Sequence, residues 1–236
     1  MPKSRYRRIL VKLSGESLQG PAGAFDATAI AALCAEVKAV RLLGVQVAAV
    51  IGGGNIIRGR DLRASPAIQR VTADYMGMLA TVINGIALRD SLVAAGVPAV
   101  TMSAIADPRI CEAYSVPAAV AHLEAGKVVV LSGGTGNPYF TTDTGAALRA
   151  IELGADVLMK STTVDGVYSD DPRTNPRATR YDKLTYAKVL ADRLGVMDLS
   201  AVAMCMDNRL PVMVFRGGKL AEAAAGQPVG TVIAQE

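Results

Sequence analysis

Four short stretches of the 236-residue chain combine glycine with basic or hydroxyl side chains, the residue types that handle phosphate. They are Lys12-Leu13-Ser14-Gly15, GGGNIIRG at residues 52–59, SGGTGNPYFTTD at residues 132–143, and Lys160-Ser161-Thr162. Glycine lets backbone N–H groups approach an anion closely, and a succeeding helix N-terminus adds favourable partial charge. Lys12 and Arg58 would bring formal positive charge to the same place. One glycine run reads equally well as a tight turn. Several at successive strand ends, each with a basic or hydroxyl residue, point to phosphate.

The elements that must hold these stretches are legible as short β-branched runs alternating with Ala-rich amphipathic segments. Strands are expected over 8–13, 46–51, 97–102, 128–131, 157–160, 211–215 and 231–233. Helices are expected over 27–43, 68–95 and 144–153, with a short Ala-rich helix between the last two strands. The first helix places Ile30, Leu33, Cys34, Val37, Val40 and Leu43 on one face. Strands alternating with helices argue for an α/β fold with a mainly parallel sheet covered on both faces. In such sheets ligands bind beyond the carboxyl ends of the strands, where the glycine stretches fall. Residues 165–180, with Pro172 and Pro176, read as irregular and too polar for a core. No linker or repeat divides the chain, so residues 1–236 are expected to form one domain, with residues 1–6 a flexible basic tail. The stripe Met76, Met78, Leu79, Val82, Ile83 and Ile86 reads as helix core or subunit contact.

Composition narrows the chemistry further. Hydrophobic residues make up 51% of the chain and aromatics 4%, so aliphatic side chains and 23 glycines must fill the core. The single histidine, His122, excludes a His-pair metal site, and it is expected on a solvated helix without a role. Cys34, Cys111 and Cys205 are widely spaced, which excludes a disulfide framework and suits a reducing cytoplasm. The mean hydropathy of +0.31 invites a membrane reading. No uninterrupted apolar stretch reaches the ~18 residues needed to span, so buried subunit surface is the expected use. The net charge of +4 includes Lys3, Arg5, Arg7 and Arg8 at the N-terminus. No hydrophobic signal region comes after them, and no aromatic-interleaved basic stripe supports nucleic-acid binding. Both G-x-x-x-x-G-K-[ST] and G-x-G-x-x-G are absent: Gly126-Lys127 and Gly218-Lys219 are followed by Val128 and Leu220.

Five motifs occur in a telling order: KLSGE at 12–16, IGGGNIIRG at 51–59, DYMGMLAT at 74–81, TGNPYFTTD at 135–143 and VDGVYSDDP at 164–172. From about residue 7 to the C-terminus the chain resembles the bacterial uridylate (UMP) kinases of the amino-acid-kinase superfamily. KLSG and GGGN belong to the whole superfamily; DYMGMLAT and TGNPYFTTD are more specific to the UMP enzymes. The resemblance implies a three-layer αβα sandwich and transfer of the ATP γ-phosphoryl to UMP. It also implies magnesium carried with the nucleotide, a cytoplasmic homohexamer serving pyrimidine nucleotide biosynthesis, UTP inhibition and GTP activation.

Carried over residue by residue, the resemblance assigns Lys12, Leu13, Ser14, Gly15, Gly54, Arg58, Thr162, Tyr168 and Asp171 to ATP. It assigns Gly53, Asp74, Thr135, Gly136, Asn137, Pro138, Tyr139, Phe140, Thr141 and Thr142 to UMP. Lys12, Arg58 and Asp143 are the expected catalytic set. Arg58 can fork two N–H groups onto phosphate, and the Asp74 carboxylate is an acceptor suited to ribose hydroxyls. Asp143 is expected to organise Lys12 or magnesium-bound water, because an anionic phosphate acceptor has no proton to remove. Lys160 can reach phosphate on position alone. Two departures stand out. Thr163 occupies a position where the resemblance leads one to expect Lys, which bears on ATP affinity. The segment 20–26 is shorter than the GTP-responsive form, which bears on GTP activation and not on catalysis. The competing expectation is a catalytically weak nucleotide-binding sensor or storage protein on the same fold.

Overall fold

The structure, a computed structural model, describes residues 4–57 and 67–235. The strands are β1 (Arg8–Leu13), β2 (Gln46–Ile51), β3 (Ala99–Ser103), β4 (Glu112–Ala113), β5 (Val128–Ser132), β6 (Val157–Thr162), β7 (Val167–Tyr168), β8 (Arg180–Tyr181), β9 (Lys183–Thr185), β10 (Val212–Arg216) and β11 (Gly230–Ala234). The α-helices are α1 (Ala27–Leu42), α2 (Arg70–Ala94), α3 (Val116–Glu124), α4 (Thr142–Glu152), α5 (Tyr186–Ala191), α6 (Leu199–Asp207) and α7 (Leu220–Ala224). Among the described residues one 3-10 turn, Gly15–Leu18, succeeds β1, with Ser14 as its N-cap.

Nine strands form one sheet in the order β4-β3-β5-β2-β1-β6-β10-β11-β9. Every pairing is parallel except β10 with β11, which is antiparallel. Burial on both sides explains why the central strands are nearly continuous apolar runs. Strand alternation sends Ile9, Val11 and Leu13 into a core with Leu33, Val37, Leu88, Leu92 and Leu220 of α1, α2 and α7. Leu10, Ala48 and Val50 enter the opposite core with Leu123, Ala146, Val189 and Val202 of α3, α4, α5 and α6. The expected three-layer sandwich is therefore present.

The sequence expectations differ from the structure in instructive places. The stretch 165–180, expected to be irregular, carries the small antiparallel pair β7–β8, and Val167 is buried in the core. Ser4 and Tyr6, expected within a solvated tail, are held: Ser4 Oγ donates to the Ala224 carbonyl at 2.7 Å and Tyr6 packs on the core. Residues 1–3 lie outside the described residues. His122 does lie on a helix, α3, but its Nε2 is 2.8 Å from the Glu112 carboxylate rather than in open solvent. All three cysteines are free and buried; burial pushes the Cys205 thiol up to about 12.

Helix α2 is the longest in the fold. Among the described residues it alone has the length and composition to cross a membrane. Yet 44% of its apolar window is buried, and its inward face carries the polar residues Thr81 and Asn84, as in a core helix. The methionine stripe expected on it divides. Met78 and Val82 are buried, whereas Leu79 and Ile83 are about half exposed.

Candidate active site

The sheet register builds the centre of the site. Lys12 of β1 lies directly opposite Lys160 of β6, so their side chains leave the same face of the sheet. Like charges directly opposite are unfavourable unless something neutralises them. Asp143, in the first turn of α4 on that same face, does so. Lys12 Nζ is 3.0 Å from Asp143 Oδ1, and Lys160 Nζ is 2.6 Å from Asp143 Oδ2. Lys160 also donates to the Val196 carbonyl. The Lys12 ion pair gives Oδ1 no well-directed hydrogen bond, which leaves one buried acceptor unsatisfied.

Burial works to raise the Asp143 pKa, but the charges of Lys12 and Lys160 outweigh it and hold the carboxyl below the usual carboxylate range. Burial lowers the Lys160 pKa, against the pull of Asp143 and with the repulsion of Lys12. The local sequence places Asp143 accurately. Thr141 caps α4 by accepting from the Asp143 and Thr144 N–H groups, and a carboxylate in a first turn is favoured by the helix dipole. Asp198, the N-cap of α6, accepts from Thr144 Oγ1 at 2.8 Å and from the Thr141 hydroxyl.

Two clefts flank this bridge. The first, of about 570 Å³, is lined by Lys160, Thr162, Tyr168, Asp171, Arg173 and Val196 among others. Tyr168 donates its hydroxyl to Asp165 Oδ1 at 2.6 Å, and the Asp171 carboxylate is gripped by Arg173 at 2.9 Å. Thr231 ties this cleft's floor to the main sheet. Its fully buried hydroxyl accepts the Val167 N–H at 2.8 Å and donates to the Tyr181 carbonyl.

The second cleft, of about 300 Å³, brings together Gly53, Gly54, Asp74, Thr135, Asn137, Tyr139, Phe140, Thr141 and Thr142. Helix α2 fastens both of its loops. Asn84 Nδ2 donates to the Gly52 carbonyl and to Asn55 Oδ1, each at 2.7 Å, and Thr81 Oγ1 accepts the Gly133 N–H at 2.7 Å. Close packing then demands glycine. A Cβ on Gly53 would stand 2.8 Å from the Ala80 Cβ and 2.9 Å from the Gly77 carbonyl oxygen. Gly133 has φ 75°, and a Cβ there would meet Ser103 Oγ at 2.6 Å.

Most expected residues gather as the sequence implies, with some redistribution. Thr162, Tyr168 and Asp171 share the first cleft with Lys160. Gly54, expected with them, lines the second cleft beside Gly53. Leu13 points its side chain into the core, so only its backbone is available. Gly136 and Pro138 belong to the loop of the second cleft without lining it. Arg58 lies outside the described residues. Thr163 is exposed at the end of β6. Asn84, Thr81, Asp198 and Thr231 were not expected. The signal for the first two was available, since helical spacing puts Thr81 and Asn84 on the face of Met78, Leu88 and Leu92.

A mainly parallel sheet with paired lysines and glycine loops at its strand ends defines a class, and comparison agrees with it. The family model described as amino acid kinase matches residues 7–216, and the chain belongs to the amino acid kinase family. Within it, the chain groups with the uridylate kinases. It is 49% identical over 237 residues to the uridylate kinase of Paramagnetospirillum magneticum, covering 99% of this chain and 98% of that one. It is 53% identical over 212 residues to that of Chelativorans sp., covering 89% and 85%. The crystal structure of UMP kinase from Bacillus anthracis superposes with a TM-score of 0.94 at 36% identity, covering 98% of this chain and 97% of that one.

Proposed function

We infer that the protein catalyses transfer of the ATP γ-phosphoryl group to UMP, giving ADP and UDP. The observation that carries this reading is the Lys12–Asp143–Lys160 bridge, set between two clefts on the carboxyl edge of the sheet. Phosphoryl transfer asks little covalent chemistry of the protein; positioning and charge stabilisation dominate. ATP is assigned to the first cleft, with Tyr168 and Thr162 on the adenosine side and its phosphates at Gly15, Lys12 and Lys160. UMP is assigned to the second, with the Asp74 carboxylate on the ribose and residues 135–142 around the uracil. The acceptor phosphate oxygen is already anionic. Asp143, held ionised by two ammonium groups, is suited to fix those groups in place and unsuited to take a proton.

A magnesium ion bound to the nucleotide would supply further charge neutralisation on the phosphates. Among the described residues no cluster of three or more His, Cys, Asp or Glu could hold a resident metal. The unsatisfied Asp143 Oδ1 fits the single carboxylate, direct or through water, that a nucleotide-carried magnesium needs. Val71, Tyr75, Leu79 and Ile83 form an exposed apolar row at four-residue spacing along α2, which supports an intersubunit contact in the proposed homohexamer. UTP inhibition through the acceptor cleft and a cytoplasmic location complete the proposal, while the short segment 20–26 speaks against GTP activation.

Phosphorus NMR of ATP, magnesium and UMP with purified protein tests the reaction. The expected result is growth of UDP β-phosphorus signal matched to loss of ATP. Nucleotide binding with no transfer in either direction would favour a sensor or storage protein instead.

The two clefts should also be separable by mutation. Thr231→Val keeps the side chain's shape but leaves the buried Val167 N–H unpaired, at a cost of ~1–3 kcal/mol. Because Val167 adjoins Tyr168 and lies far in sequence from the second cleft's loops, KM for ATP is expected to rise about five-fold or more while KM for UMP stays unchanged. Steady-state kinetics with each substrate varied in turn measures this.

A further inference from the structure

Arg70, in the first turn of α2, takes no part in the phosphate bridge or the fastening of the loops, yet it touches two residues of the second cleft. Its guanidinium carbon stands 4.7 Å from the centre of the Tyr139 ring, and its Nε lies 3.6 Å from Asp74 Oδ2. The same Oδ2 accepts the Tyr139 backbone N–H at 2.8 Å. Tyr139 has φ 73°, a left-handed conformation that a residue with a Cβ adopts only when its surroundings hold it there. Three contacts therefore close one ring: Arg70 to Tyr139, Tyr139 to Asp74, and Asp74 to Arg70. All three residues line the cleft.

The ring has a directional consequence. Both donors approach the same carboxylate oxygen, and among the described residues Asp74 Oδ1 carries no hydrogen bond. Asp74 is thereby oriented with one oxygen anchored and the other available to a sugar hydroxyl. We propose that Arg70 is a positioning residue for the acceptor. It clamps Tyr139 and aims Asp74 so that the enzyme reads a vicinal ribose diol and discriminates ribonucleotides from 2′-deoxyribonucleotides. This rests on the assignment of the second cleft to UMP. A neutral side chain at position 70 loses both the cation–π contact and the charge on Oδ2. Lysine keeps a charge but not the planar group that lies over the ring.

The test compares wild type, Arg70→Met and Arg70→Lys as full-length enzymes, by two measurements. In steady-state kinetics Arg70→Met is expected to raise KM for UMP about five-fold, with KM for ATP unmoved, since partly exposed cation–π and ion-pair contacts are individually weak. The ratio of kcat/KM for UMP to that for dUMP is expected to fall, and Arg70→Lys to recover part of it. In amide hydrogen exchange on nucleotide-free enzyme, the Tyr139 N–H is expected to exchange faster in Arg70→Met than in wild type. An unchanged UMP:dUMP ratio, or equal increases in both substrates' KM, would overturn the positioning role. Unchanged Tyr139 exchange would overturn the clamp. If wild type transfers nothing to UMP while Tyr139 exchange still responds to Arg70, the clamp stands and the assignment of the cleft fails.

Discussion

Replacing Lys12 by Ala is expected to lower kcat with UMP by about 10²–10³-fold, roughly 3–4 kcal/mol of transition-state stabilisation, with a much smaller change in KM for ATP. The asymmetry comes from where charge develops. In the proposed assignment ATP would have the whole first cleft, from Thr162 to Arg173, through which to bind. The transferring phosphoryl group, in the same assignment, meets Lys12 and Lys160 where the β1–β6 register presents them side by side, and there its charge spreads over three oxygens. Losing one of two ammonium groups at that point is felt mainly in the transition state. Lys12→Arg is not expected to restore the rate, because a planar fork does not replace a compact point charge at fixed distance. Single-turnover kinetics at saturating nucleotide reads the chemical step directly. Near wild-type turnover in Lys12→Ala would dismiss the phosphate cradle as drawn.

Replacing Asp143 by Ala is expected to damage both folding and catalysis. It removes the shared counter-ion from two lysines whose side chains keep only 16% and 14% exposure. Breaking a buried pair on one side costs on the order of 3 kcal/mol, at the lower end of the usual range here because some exposure remains. For a chain of this size that corresponds to a fall in Tm of about 6–12 °C. Turnover is expected to fall as well, since both ammonium groups lose their common anchor. The acid side of the stability profile gives a separate signature. Burial opposes ionisation of Asp143, but Lys12 and Lys160 prevail and its folded pKa lies below the ordinary 3.8. Its stabilisation is therefore complete above that ordinary value and is lost as pH falls through the lower folded value. Asp143→Asn should remove this part of the acid dependence while preserving shape. Thermal unfolding of the three proteins between neutral and acidic pH checks both statements.

The central strands were the most legible elements of the fold. The ranges expected for β1 and β2 coincide with the observed ones, because strands buried on both faces read as compact, predominantly apolar runs, here Ile9–Val11 and Val47–Ile51, that stand out from the polar segments around them. Helices α1 and α2 were also recognisable from their periodicity. Helices α5 and α6 were not, and α3 was expected only as a helix around His122, without bounds. They are six to nine residues long, and an apolar segment such as Val-Pro-Ala-Ala-Val has too few turns to separate a helical from an extended period. The strand pair β7–β8 was hidden for a different reason. It is held by the Thr231 hydroxyl, some fifty residues away from Tyr181, and no local pattern records such a contact.

The site divides along the same line. Lys12, Asp74, Asp143 and residues 135–142 were identifiable because motifs keep them together in the chain. Their mutual geometry was not, because it depends on sheet register and on α2. The pairing of Lys12 with Lys160 needs β1 beside β6, with four other strands between them in the chain. The fastening by Thr81 and Asn84 needs a helix whose polar residues face inward, the reverse of the ordinary amphipathic pattern.

In the proposed reaction the second cleft presents UMP to the ATP γ-phosphoryl group across the Lys12–Asp143–Lys160 bridge. A coupled ADP-release assay, with ATP and magnesium and with UMP, CMP, dUMP, aspartate and carbamate as acceptors, tests it most directly. Strong preference for UMP over every other acceptor is expected. Comparable or faster turnover with aspartate or carbamate would contradict it and assign the chain to a different branch of the amino acid kinase family.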